Sequence, residues 1–211
     1  MDLRDKVTTL IFDLGGVLIN LDWERCTDNF RKLGISKMEN LISTTLQRGF
    51  ILDYERGEIS TDEFRAEVRK FTDREVTNDE IDFAWTSLLV EIPDEKLQLL
   101  LDLKKKYRIF MLSNTNELSF QFSRDNMFNY NGLSIHDFFD KCYLSYEMKA
   151  NRPEPDIFEK LLQDAGLKAE ECLFLDDGIH NIKTACNLGF QTEYIEPSSN
   201  IGEWEFLGWL K

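Results

Sequence analysis

The feature of this sequence that most constrains its fold is a set of short apolar runs, each ending in small or polar residues. The first run occupies residues 7–14 and stops at Gly15 and Gly16. A continuous apolar run bounded by glycines is typical of a strand buried on both faces of a parallel sheet. Similar runs lie at 108–112, 142–144 and 172–175, and a weaker one lies at 191–195. The sequence therefore predicts five strands of this kind.

The stretches between these runs have the apolar spacing of helices. Residues 94–106, 155–165 and 177–188 each place apolar side chains along one face of a helix. In the third stretch, the face that we expect to pack on the sheet contains Ile179, Ile182, Ala185 and Cys186. Because strands alternate with helices, we predict an α/β protein with a doubly wound, Rossmann-like parallel sheet. The aromatic segment 204–209 is expected to pack back on this core.

Residues 20–89 interrupt this alternation. They contain no convincing strand and predict helices over 23–32, 37–47, 50–56, 61–71 and 79–89. Ser60 or Thr61, followed by acidic residues, gives an N-cap signal for the fourth of these helices. A chain of 211 residues exceeds the usual length of one domain. We therefore expect an α/β core formed by 1–19 and 90–211, with an all-helical cap domain of residues 20–89 inserted after the first strand.

Charge and composition exclude several classes of function. Lys and Arg number 25 against 39 Asp and Glu, and the resulting net charge of −14 disfavours nucleic acid and anionic membrane partners. The four cysteines are widely separated, which argues against a zinc site or a disulfide framework and predicts reduced core thiols. No apolar run approaches the length of a membrane span, and the N-terminus is too charged for a signal peptide. We expect a soluble, cytoplasmic protein, whose oligomeric state the sequence does not define.

Polar residues follow the predicted strands at the edge where open parallel sheets bind ligands. They are Asp13 after the first strand, Ser113 and Asn114 after the second, Arg152 after the third, and Asp176 and Asp177 after the fourth. Each residue alone also fits a turn, a helix cap or a solvated surface charge. Their convergence on one edge makes this set the candidate site.

The combination predicts phosphoryl transfer. Adjacent acids repel each other, and a site that concentrates them usually holds a cation. Magnesium takes carboxylates, waters and phosphate oxygens, while an aspartate such as Asp13 can attack phosphorus and form an aspartyl-phosphate. Arg152 would offset the repulsion between the two anions, and Ser113 would hold the transferring oxygens.

Four motifs of the chain resemble those of the haloacid dehalogenase superfamily of phosphatases. They lie in the family order at 10–18 (LIFDLGGVL), 111–114 (MLSN), 152–158 (RPEPDIF) and 174–189 (beginning FLDDG). The helical insertion is similar to the family's first cap type, C1. The segment 55–60 (ERGEIS) is similar to the branch of sugar-phosphate phosphatases.

This resemblance implies a role for each candidate residue. Asp13 would be the nucleophile, with Ser113, Asn114 and Arg152 binding the phosphate. Mg²⁺ would be the cofactor, and its implied ligands are Asp13, the Gly15 carbonyl, Asp176 and Asp177. The implied function is hydrolysis of a small phosphorylated metabolite, for which a sugar phosphate is one candidate.

Two positions depart from the family pattern. Most family phosphatases have a second aspartate, the general acid and base, where this chain has Gly15. Losing that proton shuttle lowers the rate by about 10²–10⁴ unless the substrate or a cap residue replaces it. The candidates on the cap are Asp53, Tyr54 and Glu55. The family lysine of the third motif is replaced by Arg152, whose planar head is wider, and Lys149 is close enough in sequence to assist it.

Two other functions fit parts of this pattern. A non-catalytic or very weakly active binding protein on the same scaffold would explain Gly15 and Arg152. A metal-independent 2-haloacid dehalogenase also lacks the second aspartate, but that branch does not keep an acid pair such as Asp176-Asp177. Substrate choice would depend on cap side chains that face the cleft, and the sequence does not distinguish which of its candidates do so. These candidates are Trp23, Arg48, Phe50 and Tyr54.

Overall fold

The structure, a computed structural model, describes residues 6–35, 49–72, 74–208 and 210. Its strands are β1 (Thr9–Phe12), β2 (Asn20–Leu21), β3 (Leu89–Glu91), β4 (Arg108–Ser113), β5 (Lys141–Leu144), β6 (Cys172–Asp176) and β7 (Gln191–Tyr194). Its helices are α1 (Trp23–Lys32), α2 (Phe50–Glu55), α3 (Thr61–Arg69), α4 (Asn78–Thr86), α5 (Asp94–Lys104), α6 (Glu117–Asn126), α7 (Ile135–Phe138), α8 (Ser145–Met148), α9 (Pro155–Ala165) and α10 (Ile179–Asn187). None of the helices in the described part of the chain has the length and apolar content needed to cross a membrane.

Five strands form one parallel sheet in the order β5–β4–β1–β6–β7. The central strand β1 pairs with β4 and β6, so that Phe12 is level with Met111 on one side and with Leu175 on the other. The chain builds the sheet outward from β1 to β4 and β5, then returns to add β6 and β7 on the other side. Ligands bind beyond the carboxyl ends of the strands at such a reversal. The predicted doubly wound parallel sheet is confirmed.

Alternate residues of β1 pack on opposite faces of the sheet. Leu10 and Phe12 belong to one buried cluster, which includes the apolar side of α5 and the C-terminal aromatic residues. Ile11 belongs to a second cluster, which includes Phe158 of α9. Phe12 also contacts Trp204, with ring centroids 6.5 Å apart, as expected for a C-terminal segment that packs back on the core. Burial on both faces fixes the strand that Asp13 directly follows.

Helices α1 to α4 have a hydrophobic core of their own. Phe30, Phe64 and Trp85 are buried there, and the rings of Tyr54 and Phe64 stack with centroids 4.6 Å apart. Ser60 caps α3 in a reciprocal arrangement with Glu63, which resolves the choice between Ser60 and Thr61. The predicted helix at 37–47 lies outside the described residues.

The prediction of no strand within 20–89 is wrong at the ends of this segment. Asn20 and Leu21 of β2 pair antiparallel with Glu91 and Leu89 of β3. A strand of two residues is too short to show the alternation that marks a strand in a sequence. Its partner is also distant in the chain, so only the folded arrangement defines the pair.

The predicted apolar face of α10 is correct for Ala185 and wrong at its ends. Ala185 is fully buried, whereas Ile179 is 50% exposed and Cys186 is exposed. α10 packs on β6 and β7, and Ile179 begins the helix at the open edge of the sheet. All four cysteines are free, but only Cys26 and Cys172 are buried, so the prediction of four core thiols is wrong for Cys186.

Candidate active site

Three carboxylates meet at the carboxyl edge of the sheet beside β1. Asp13 directly follows β1, Asp176 ends β6, and Asp177 comes next. One oxygen from each carboxylate lies within 4.8 Å of the others. The Asp13 amide donates to the Leu175 carbonyl at 2.9 Å, which extends the pairing of β1 with β6 up to this residue. The structure thus brings together three predicted site residues, of which Asp13 is far from the other two in sequence.

The Arg152 guanidinium lies between two of these carboxylates. Its Nη2 donates to Oδ1 of Asp13 at 2.8 Å, and its Nη1 donates to Oδ2 of Asp176. The Arg152 side chain is only 3% exposed, so water screens neither ion pair. Arg152 therefore offsets one of the three negative charges and fixes the positions of two of them.

Asn114 holds the main chain of Arg152. Its Oδ1 accepts from the Arg152 amide at 2.9 Å, and its Nδ2 donates to the Arg152 carbonyl at 2.9 Å. Both ends of the Asn114 amide are therefore used to orient Arg152. Ser113, which ends β4 and is buried, forms a hydrogen bond that helps to lower the pKa of Asp13.

Asp176 is held by two further donors that sequence reasoning missed. Its Oδ1 accepts from the Gly178 amide at 2.6 Å and from Nδ2 of Asn181 at 2.9 Å. Asn181 lies in the first turn of α10, and this position just after the acid pair is the only sequence signal for its role. The two donors orient Asp176 before any ligand arrives.

Burial and mutual repulsion raise the pKa values of the acids in the cluster. Burial raises the pKa of Asp13, and the Arg152 charge and the Leu14 amide oppose this effect. Burial and the charge of Asp13 raise the pKa of Asp177 to about 7. The ionised cluster of three carboxylates and one guanidinium carries two uncompensated negative charges. A divalent cation would offset them, and this set of hard oxygen ligands fits magnesium.

The loop after Asp13 presents backbone rather than side chains to the cluster. A Cβ on Gly16 would lie 2.0 Å from Oδ2 of Asp177, so Asp177 contacts the loop where a side chain would be. A Cβ on Gly15 would lie 3.3 Å from Cδ1 of Leu21. The Cβ of an aspartate at position 15 would therefore contact the apolar side chain of Leu21. The backbone carbonyl of Gly15, the predicted metal ligand, belongs to the same loop.

Lys149 forms a hydrogen bond to the helical segment rather than to the residues around Arg152. Its Nζ donates to the carbonyl of Gly57, which follows α2. The contact therefore joins the core to the helical segment. It gives Lys149 a structural role that its position near Arg152 in the sequence does not predict.

Of the three cap candidates for proton transfer, only Glu55 is both buried and acted on by the charges of the cluster. Asp53 is half-buried. The Tyr54 hydroxyl accepts from the Leu118 amide at 3.1 Å and lies 2.9 Å from the Thr61 hydroxyl, so it is already engaged. Glu55 is 6% exposed, and burial raises its pKa to about 8 while the Arg152 charge lowers it and the Asp13 charge raises it further.

The side chains considered for substrate choice have different positions. Trp23 and Phe50 are half-buried and pack against the core of the helical segment. Tyr54 is buried in that same core. Arg48 lies outside the described residues.

The parallel sheet, the helical segment and the aspartate cluster define a class of hydrolases with a Rossmann-like core, whose reactive groups lie at the carboxyl edge of the sheet. Comparison with known proteins agrees. The sequence profile of haloacid dehalogenase-like hydrolases matches residues 7–189. The chain is also 34% identical over 186 residues to a D-ribitol-5-phosphate phosphatase from Bacteroides thetaiotaomicron, over 88% of this chain and 90% of that protein.

Solved structures give the same result. The fold matches a crystal structure of a HAD family enzyme from Bacteroides thetaiotaomicron, an aspartate-to-alanine variant in complex with magnesium and inorganic phosphate. The TM-score is 0.92 and the identity 42%, over 96% of this chain and 98% of that one. A HAD-like family hydrolase from Porphyromonas gingivalis matches with a TM-score of 0.86 and 36% identity, over 92% and 94% of the two chains.

The protein belongs to the haloacid dehalogenase-like hydrolase family. The resemblance inferred from its four motifs is confirmed. The predicted enzyme class, a hydrolase of the phosphatase kind, is confirmed with it.

Proposed function

We propose that the protein is a magnesium-dependent phosphatase that hydrolyses a small phosphorylated metabolite through an aspartyl-phosphate on Asp13. The proposal depends on one observation, the approach of Asp13, Asp176 and Asp177 to within 4.8 Å beside a buried guanidinium. The magnesium and phosphate complex of the Bacteroides enzyme supports the choice of cofactor and of ligand class.

Asp13 is the nucleophile in this proposal because its carboxylate is held firmly by one oxygen. Oδ1 accepts from the Leu14 amide at 2.6 Å and from Arg152 at 2.8 Å. Oδ2 accepts from neither of these donors, and we assign it the attack on phosphorus. Because one oxygen is fixed before the substrate binds, the other is already oriented, and no conformational entropy is lost to orient it during the reaction.

Repulsion between the Asp13 carboxylate and the phosphate opposes both binding and attack. A carboxylate brought to about 4 Å from a phosphate dianion is repelled by on the order of 8 kcal/mol at an effective dielectric constant of about 20. Bound magnesium supplies positive charge that offsets this repulsion and polarises a phosphoryl oxygen. Arg152 supplies a second positive charge beside Asp13, and the Ser113 hydroxyl donates to a phosphoryl oxygen.

The residues that would hold magnesium differ in how many hydrogen bonds they already accept. We assign Asp13, the Gly15 carbonyl, Asp176 and Asp177 to it. Asp176 accepts from Arg152, Gly178 and Asn181, so its orientation is fixed in advance. Within the described part of the chain, Asp177 has no hydrogen bond except to its own backbone, which leaves its carboxylate open to a cation.

We further propose that residues 20–89 act as the cap that covers the substrate, and that the substrate is a sugar or polyol phosphate. The first part is supported by the separate core of these helices and by the position of Glu55 near the aspartate cluster. The second part is supported by the relative that acts on D-ribitol 5-phosphate. Such substrates have a polar chain attached to the phosphate that Asp13 would attack.

A metabolite screen tests the proposed function. Purified protein is assayed against sugar and polyol phosphates, with magnesium and with a chelator in its place. We expect phosphate release that depends on magnesium and is abolished by Asp13→Asn. The control variant is Asp28→Asn, an equal change at an exposed ion pair on α1. Activity that survives Asp13→Asn would remove Asp13 as the nucleophile.

The same assay separates the two alternative functions. Chloride release from a 2-haloacid without magnesium would identify a dehalogenase. If calorimetry detects no magnesium binding and no substrate of the panel is hydrolysed, a non-catalytic binding protein is the better explanation. The acid pair Asp176-Asp177 argues against both, because neither function requires two adjacent buried or half-buried carboxylates.

A further inference from the structure

Among the described site residues, those that are not assigned to magnesium or to the attack on phosphorus include no acid that could protonate the leaving group. The position that carries a second aspartate in most family phosphatases is Gly15, and a Cβ at that position would lie 3.3 Å from the Leu21 side chain, which takes the space beside it. Ser113 and Asn114 are neutral groups, and Arg152 is a permanent cation that does not release a proton at neutral pH. A phosphate ester of an ordinary alcohol nevertheless needs a proton on its departing oxygen.

Glu55 is a buried acid whose carboxyl group has no structural task. It ends α2 and is 6% exposed. Within the described residues, no hydrogen bond or ion pair engages its side chain. The charges of Arg152 and Asp13 act on its carboxyl group. The Ser145 hydroxyl that contacts the Glu55 carbonyl also contacts the carbonyl of Thr115, which follows Ser113 and Asn114 at the carboxyl edge of the sheet. A buried carboxyl group without a partner is unfavourable for folding, and such groups cluster at functional sites.

Contacts between the helical segment and the core hold Glu55 in this position. The Ser145 hydroxyl donates to the Glu55 carbonyl at 2.7 Å. The next residue, Arg56, forms an ion pair with Glu154, and Lys149 donates to the Gly57 carbonyl. Three consecutive residues of the segment are thus attached to the core, so the Glu55 backbone is fixed relative to Asp13.

We propose that Glu55 is the catalytic general acid and base of the reaction, supplied by the helical segment in place of the missing aspartate. This inference rests on the proposed phosphatase function and adds to it the source of the proton. It assigns a catalytic role to a residue outside the four motifs of the core.

The proton balance of the two steps is complete with Glu55. In the first step an oxygen of Asp13 bonds to phosphorus, and the bond from phosphorus to the ester oxygen breaks. The electron pair stays on that oxygen, and protonated Glu55 gives it a proton, so an alcohol departs. In the second step Glu55 carboxylate takes a proton from water as the water oxygen bonds to phosphorus. The bond to Asp13 breaks, and inorganic phosphate and the starting protonation state result.

The environment of Glu55 suits both steps. Burial raises the pKa of Glu55 to about 8, so the acid is protonated at neutral pH when the ester binds. The charged groups that face it are Arg152 and Asp13, and bonding of Asp13 to phosphorus removes the negative charge that disfavours Glu55 carboxylate. Glu55 is therefore able to release its proton in the first step and recover it in the second.

The dependence of the rate on the leaving group tests this role. Wild type and Glu55→Gln are compared on a pentitol phosphate, which needs a proton on its departing oxygen, and on dinitrophenyl phosphate, which does not. We expect Glu55→Gln to lower kcat/KM, which reports the steps up to the departure of the alcohol, by about 10²–10⁴ on the pentitol phosphate and by less than about tenfold on dinitrophenyl phosphate. Glu55→Asp should recover part of the loss on the pentitol phosphate alone.

Controls separate a failed inference from a failed function. Glu58→Gln makes the same change at an exposed residue three positions away and should leave both rates unchanged. Equal losses of kcat/KM on both substrates in correctly folded Glu55→Gln, or no loss on either, would overturn the role of Glu55 while leaving the phosphatase intact. A wild-type protein that hydrolyses neither substrate with magnesium would overturn the proposed function itself. Circular dichroism and thermal unfolding of each variant establish that it is folded.

Discussion

The Asp177 carboxylate occupies the space that a side chain on residue 16 would need, and residue 16 is a glycine. The Asp177 carboxylate lies where a Cβ on Gly16 would be, with Oδ2 at 2.0 Å from that position, and Gly16 has a φ of +81°. The loop after the first strand therefore leaves room for the second acid of the fourth motif because residue 16 is a glycine. Asp177 is at the same time one of the three acids whose oxygens lie within 4.8 Å of one another.

Gly16→Ala should therefore lower magnesium affinity as well as stability. The added methyl group forces Asp177 or the loop to move, in addition to the strain of about 1–2 kcal/mol for a positive φ. The control is Gly132→Ala, at a φ of +77° with nothing within 4 Å of the added Cβ. Calorimetry should show weaker magnesium binding for Gly16→Ala alone. Equal affinities of the two variants would mean that the contact does not shape the metal site.

Gly57→Ala should separate the helical segment from the core near Glu55. A Cβ on Gly57 would lie 2.2 Å from the Tyr146 carbonyl oxygen, at a φ of +63°. Gly166 has the same φ of +63° with open space around it, so Gly166→Ala reports the backbone strain alone. We expect Gly57→Ala to lose more than about tenfold in kcat on an alkyl phosphate, because Glu55 is displaced. Steady-state rates of both variants check this, and a matching loss in Gly166→Ala would contradict it.

Arg152→Gln should destabilise the protein strongly when magnesium is absent. Its loss leaves Asp13 and Asp176 buried without a counter-charge, which is unfavourable by about 3–5 kcal/mol. Arg124→Gln, which breaks an exposed ion pair with Asp125, should change stability by less than about 1 kcal/mol. Urea unfolding in a chelator measures both differences. Magnesium should restore part of the stability of Arg152→Gln, and a loss no larger than that of Arg124→Gln would show that the buried pairs contribute little.

The stability of the magnesium-free protein should depend on pH through Glu55. Burial raises the pKa of Glu55 from 4.5 to about 8, so between these values the folded protein keeps a proton that the unfolded chain releases. Its contribution is therefore intact below pH 4.5 and is lost as pH rises towards 8. Glu55→Gln should match wild type at about pH 4 and exceed its stability at about pH 8 by at least about 1 kcal/mol. Urea unfolding at both pH values checks this, and a difference that is the same at both would exclude Glu55 as its source.

The sequence was sufficient to predict the sheet and the residues at its carboxyl edge. Asp13, Ser113 and Asp176 come at the ends of buried strands, and parallel pairing brings such ends together whatever the length of chain between them. The alternation of strands and helices predicted the topology for the same reason. Local pattern and global fold agree at these positions.

Other features depend on contacts that no local pattern encodes. In the sequence Asn181 looks like an ordinary helix residue, and only the fold shows that its side-chain amide donates a hydrogen bond to Asp176. Glu55 likewise has the sequence context of a solvated helix end, whereas the folded chain buries it. The pairing of Leu21 with Leu89 joins residues that only the folded chain brings together. The predictions for Cys186 and Ile179 were wrong because apolar spacing gives the face of a helix but not the extent of the surface that covers it.

The two-stranded pair of β2 and β3 has a consequence for how this enzyme can diversify. The chain leaves the sheet at Asn20 and returns at Glu91, and these two residues are paired with each other. The segment between these two residues is thus a single insertion, and the pairing keeps its two ends together whatever its length or sequence. Exchange of the whole segment would therefore leave the aspartates at the edge of the parallel sheet in place, and a replacement would have to carry its own counterpart of Glu55.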